Sequence, residues 1–113
     1  MQNDYMIIGG VKYRVEVNWN TITNFLAATG HDTLQALAQI ANLKPSEISA
    51  LIVEAIREGE RLDGRECNLT ALDLGTILQP KHVGEFMDIY IRQYSPQVEA
   101  EEPAKKNEEQ EGQ

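Results

Sequence analysis

Apolar and polar positions alternate along the start of the chain, and the alternation is interrupted at one place. In YMIIGGVKYRVEVNWN, Tyr5 to Asn20, two apolar-patterned runs flank Gly9–Gly10. Period-two alternation marks a half-buried strand. A Gly-Gly pair supplies the positive φ angles that a two-residue hairpin turn requires. The pattern predicts a β-hairpin over about 5–17. Tyr5, Ile7, Val11, Tyr13, Val15 and Val17 read as its apolar face, and Lys12, Arg14 and Glu16 as its wet face.

Beyond the hairpin the period changes to that of helices. Asn18 or Asn20 can cap a helix carrying Ile22, Phe25 and Leu26, and Gly30 is a natural stop. Asp32 or Thr33 can start a second, short helix with Leu34, Leu37, Ala38 and Ala41 inward. Pro45 suits the first turn of a third. There Ile48, Leu51, Ile52, Ala55, Ile56 and Leu62 follow the i, i+3, i+4, i+7, i+8 template, and Asp63–Gly64 closes it. Val53 falls off that stripe. Thr70 with Asp73 resembles a capping box for a further helix with Leu72, Ile77 and Leu78 buried, ended by Pro80. A last helix is expected from about Lys81 to Tyr94, with Val83, Phe86, Met87, Tyr90, Ile91 and Tyr94 on one stripe and Ile89 outside it. The fold class read from this order is α+β: a mostly helical bundle of four to five helices with an N-terminal β-hairpin.

Composition changes after Ser95–Pro96. Residues 95–113 hold six Glu and two Lys, a local charge of −4 out of −8 for the whole chain. Such a segment has too little apolar surface to offset its ordering entropy. The expected organisation is therefore one domain over 1–94 and a disordered acidic tail over 95–113. An acidic body repels phosphate backbones and anionic lipid surfaces, which argues against nucleic acid and membrane as partners. No apolar run has the length of a membrane span. The start MQNDYM has neither the basic residues nor the apolar segment of a signal peptide. Cys67 is the single cysteine, so no intramolecular disulfide forms. A cytoplasmic location is the expectation.

Catalytic sets are hard to assemble from what remains. His31 and His82 are the two histidines. His82 and Glu85 share a helix face at i, i+3, but no second His–carboxylate pair completes a metal site. Cys67 with either histidine has no local signature of a nucleophile and base, and a lone cysteine is more often a small packed residue. Gly9–Gly10 is followed by no phosphate-loop string. No catalytic residue, metal or cofactor is assigned, and an enzyme built on Cys67 and the histidines is the most distant of three function classes.

Interaction surfaces are the better reading. A lone two-stranded ribbon is marginal in water, so its apolar face must pack on the helices, while its edges can accept a strand from another chain. Tyr13, Val15 and Val17 are candidates on that edge. Arg57 and Arg61, with Arg65 the next in a series spaced by four, can meet an acidic partner; the plainer reading is a solvated helix face interleaved with Glu54, Glu58 and Glu60. Tyr90 and Tyr94 are candidates for a groove, against core packing as the alternative. Self-association through the hairpin edge belongs to the same expectation.

Four stretches carry a resemblance: IGGVKYRVEVN, TITNFLAATG, LKPSEISALIVEAI and NLTALDLGTIL. Over roughly residues 5–92 their order is similar to that of the small tail assembly chaperones of long-tailed, siphovirus-type bacteriophages. Ala27–Ala28 depart from it, since such proteins often carry acidic residues before the corresponding "TG". The resemblance implies a non-enzymatic protein of the bacterial host cytoplasm, absent from the mature virion. It implies binding to the tape-measure protein, which is kept soluble, and recruitment of tail-tube protein subunits. It also implies a longer form made by ribosomal frameshifting, for which Lys105–Lys106–Asn107 would be the encoded slippery run. The runner-up is another non-enzymatic phage or bacterial adaptor or connector that binds a protein.

Overall fold

The hairpin turn sets the geometry of the N-terminal region. Gly9 and Gly10 take φ of 60° and 81°, the left-handed pair of a type I′ turn. They join β1 (Asp4–Ile8) to β2 (Val11–Val15) in an antiparallel ribbon. The computed structural model describes residues 3–31, 34 and 43–94. Among them four helices follow the ribbon: α1 (Trp19–Thr29), α2 (Pro45–Leu62), α3 (Ala71–Ile77) and α4 (Pro80–Gln93). The architecture is α+β, as expected. Of the short helix expected near 33–41, Leu34 is described and, expected inward, is exposed at 49%; the rest of it and the tail over 95–113, with Lys105–Lys106–Asn107, lie outside the described residues.

The ribbon's faces differ from the expectation in one strand. A two-residue turn pairs Ile8 with Val11, Met6 with Tyr13 and Asp4 with Val15. Even positions of β1 therefore share a face with odd positions of β2. Met6, Ile8 and Val15 are buried, and Tyr13 packs beside them. Tyr5 and Ile7, expected on that face, stand on the other one and are exposed at 41% and 62%. Val11, at the turn, is also exposed. The alternation cannot be carried through the turn with unchanged parity.

Local signals place the helix ends. Asn18 Oδ1 accepts from the Thr21 N–H at 3.1 Å, and Thr21 Oγ1 accepts from the Asn18 N–H at 3.3 Å. This reciprocal cap starts α1, and Gly30 at φ 77° ends it. Pro45 opens α2, with Glu47 Oε1 accepting from the Lys44 N–H. Thr70 Oγ1 accepts from the Asp73 N–H at the start of α3. In α4, Pro80 is at the first turn, and His82 Nδ1 accepts from the Gln79 N–H at 2.9 Å. Buried His82 thus closes its own helix start.

The core lies between the ribbon's inner face and the four helices, with Phe25, Ile52, Ile56, Leu74 and Phe86 fully buried. Helix faces are rotated relative to the simple stripes. Val53 and Ile89, placed off the buried stripes from sequence, are buried at 3% and 4% exposure. Ile91, Leu62 and Leu72, placed on them, are exposed. In α4 the buried set is His82, Phe86, Ile89 and Tyr90, an i, i+4, i+7, i+8 stripe turned toward the ribbon. In α2 contacts from β2, α1 and α3 together bury most of the circumference between Ile48 and Glu60.

Candidate functional site

The two edges of the ribbon are treated very differently. In a hairpin closed by a type I′ turn, Ile8–Val11, Met6–Tyr13 and Asp4–Val15 are the hydrogen-bonded pairs. The main-chain groups of Lys12, Arg14 and Glu16 then point out from β2, and those of Tyr5 and Ile7 point out from β1. α2 covers the β2 side. The Arg14 N–H donates to Glu60 Oε2 at 2.9 Å, and the Glu16 N–H donates to the Ala55 carbonyl at 3.0 Å. Contact is close enough that a Cβ on Gly59 would lie 2.2 Å from the Arg14 carbonyl oxygen.

A charged network seals that junction. Arg14, expected on the wet face, is half-buried; its Nη1 donates to Asp63 Oδ1 at 2.6 Å and its Nη2 pairs with Glu16 at 3.3 Å. Glu58 and Glu60, expected on a solvated face, are buried at 4% and 8%. Glu58 accepts from Arg61, from Asn18 Nδ2 at 2.7 Å and from Asn20 Nδ2 at 3.1 Å. Its carboxyl is held down to about 2, first by Arg61 and then by the two amides, against burial that opposes ionisation. Glu60 is likewise lowered, by Arg65 first and by the Arg14 N–H.

Val15 and Val17 are in the core, Tyr13 is half-buried against it, and Tyr90 is buried at 5%. The Tyr90 and Tyr94 rings pack at 5.9 Å, and burial raises the Tyr90 hydroxyl above its ordinary value. Arg61 grips Glu58 through two hydrogen bonds, and Arg57 Nε donates to the Leu69 carbonyl at 3.0 Å. Both arginines line a shallow cleft against α1, beside Asn24 and Ala28. His31 Nε2 meets Glu47 Oε2 at 2.7 Å. Cys67 packs against the core. Among the described residues no group of three or more His, Cys, Asp or Glu side chains is arranged to hold a metal ion.

The β1 side is open. Among the described residues no hydrogen bond reaches the outward main-chain groups of Tyr5 and Ile7. A groove runs along this edge. Near Arg92 it is walled by Tyr5 and Ile7 on one side and by Lys81, Glu85, Asp88 and Ile89 of α4 on the other, with a volume of about 520 Å³. Past Lys81 it continues to Gly9, Gly10 and the Ile77–Gln79 link, about 480 Å³. Gln93 anchors its lower end: the side-chain amide donates to Asp4 Oδ2 at 2.8 Å and to the Val15 carbonyl at 3.0 Å, and accepts from the Val17 N–H at 2.6 Å. Arg92 pairs with Asp4 beside it.

Tyr5, Ile7 and the outer residues of α4 were not among the candidates from sequence. The turn arithmetic was the available signal for the first two. No protein-family model, no curated protein and no solved structure matches the chain.

Proposed function

We propose that this protein is a tail assembly chaperone of a long-tailed bacteriophage, which binds and solubilises the tape-measure protein and helps recruit tail-tube subunits. It acts in the host cytoplasm and does not remain in the virion. The reading rests on the sequence resemblance over residues 5–92 and on one feature of the structure: the open β1 edge, with exposed Tyr5 and Ile7 beside it. An unpaired edge next to apolar side chains is the chemistry of a surface that takes up polypeptide. Further apolar residues stand at the surface, with Trp19 exposed at 58% and Ile91 at 54%. A non-enzymatic holding role follows from that surface rather than from any reacting group.

Co-expression with a phage tape-measure protein from the same genome is the direct test. The expected result is that the long partner stays in the soluble fraction and co-purifies. A partner that precipitates equally with and without this chain overturns the proposal, and binding to a different phage protein would support the adaptor reading.

A further inference from the structure

We propose that the groove between β1 and α4 takes an extended, basic polypeptide segment, which adds to the ribbon as a third strand along β1. The inference deepens the holding role proposed above and rests on it for the kind of partner.

Geometry supports the strand. Tyr5 and Ile7 offer two outward N–H and two outward C=O groups, the alternate positions an added strand uses. β1 has five residues, about 17 Å of ladder at ~3.4 Å per residue. The opposite edge cannot serve, because Glu60 and the Ala55 carbonyl already occupy the Arg14 and Glu16 N–H groups. On an added strand, one set of side chains lies over Ile89 and the outer row of α4. The other set stands beside Tyr5 and Ile7.

Charge selects the occupant. Lys81, Glu85, Asp88 and Arg92 form one row on α4 and all line the groove. Arg92 is engaged by Asp4, whereas Lys81, Glu85 and Asp88 have no ion pair among the described residues, which leaves the row one carboxylate in excess. The excess carboxylate, with Glu85 and Asp88 adjacent on one turn and a chain of net charge −8, favours Lys or Arg at the positions facing that turn of α4. A second copy brings another −8. Residues 95–113, with six Glu and two Lys, would set carboxylates against carboxylates.

The test titrates the isotope-labelled full chain with a ten-residue peptide alternating lysine and valine. Two controls are its glutamate–valine counterpart and a lysine–valine peptide N-methylated at alternate amides. The expected result is NMR shifts at Tyr5, Ile7 and Glu85–Arg92, with both controls at least about tenfold weaker. Ile7→Pro removes an outward donor without touching the ladder and should lose binding. The double charge reversal Glu85→Lys/Asp88→Lys, on an exposed row, should exchange the preference for lysine and glutamate peptides, and it remains informative if Ile7→Pro does not fold.

Equal binding of the two charge types, or shifts confined to other surfaces, overturns the proposal. Concentration-dependent shifts of Tyr5 and Ile7 without peptide assign the edge to a second copy instead. Broadening of those signals by a nitroxide at Ala100→Cys, in a Cys67→Ser background, assigns it to the chain's own C-terminal segment. If Ile7→Pro folds and still keeps the tape-measure protein soluble, the groove fails and the chaperone reading stands. If the peptide binds as expected and the tape-measure protein precipitates, the chaperone reading fails and the groove stands.

Discussion

Single residues at the α2–β2 junction hold the fold together out of proportion to their size. Gly59 sits within a helix, where alanine is ordinarily better by about 1 kcal/mol. Here the added methyl would fall 2.2 Å from the Arg14 carbonyl oxygen. Gly59→Ala should therefore destabilise by about 1–3 kcal/mol, the range of an overpacked core, read as a lower denaturation midpoint. Glu58 makes stability depend on pH. Its folded carboxyl titrates at about 2 against an ordinary 4.5, so the unfolded chain takes up the proton more readily. The resulting stabilisation is fully present above pH 4.5 and is lost as the pH falls toward 2. Glu60 and Glu47 are lowered in the same direction and add to this acid limb. Glu58→Gln should flatten the fall in unfolding free energy between pH 5 and pH 2, and an unchanged slope would place the acid sensitivity elsewhere. Gln93 bonds to both strand ends with one amide, and Gln93→Ala should cost about 1–3 kcal/mol by leaving the Val17 N–H and Val15 carbonyl without it.

Elements divide into those set by local chemistry and those set by what lands on them. The caps Asn18 and Thr70, the stop at Gly30 and the openings at Pro45 and Pro80 act over three or four residues, and each could be read directly from the chain. The inner face of β1 was also legible in principle. Gly9–Gly10 requires a two-residue turn, and that turn pairs positions of opposite parity, which places Met6 and Ile8 inside. Reading one alternation across the turn put Tyr5 and Ile7 there instead. The helix faces were less legible. A single stripe describes a helix with one neighbour, but α2 packs against β2, α1 and α3. That is why Val53 is buried, and why the Glu58 and Glu60 carboxylates lie inward rather than on a wet face. The two ribbon edges should differ in hydrogen exchange. The amides of Arg14 and Glu16 are expected to be protected and those of Tyr5 and Ile7 to exchange quickly; equal protection on both edges would show that β1 is already covered.

At the scale of the whole molecule, the question posed by a two-stranded ribbon is what covers its edges. One is covered by α2 through main-chain and carboxylate acceptors, and the other faces an open groove. The interaction candidates read from sequence had been sought in β2, on the arginines of α2 and on the tyrosines of α4. Val15, Val17 and Tyr90 went into the core, and the arginines found acceptors within their own chain. Local signals of one to four residues determined the elements, their caps, the turn type and the fold class, because hydrogen bonding and side-chain period act at that range. Which edge stayed open, and which charges were buried, was decided by contacts between residues 38 to 49 positions apart, such as Arg14 with Glu60 and Asp63 and Glu58 with Asn18 and Asn20. No short stretch of the chain contains both partners, so only the assembled fold could choose between them.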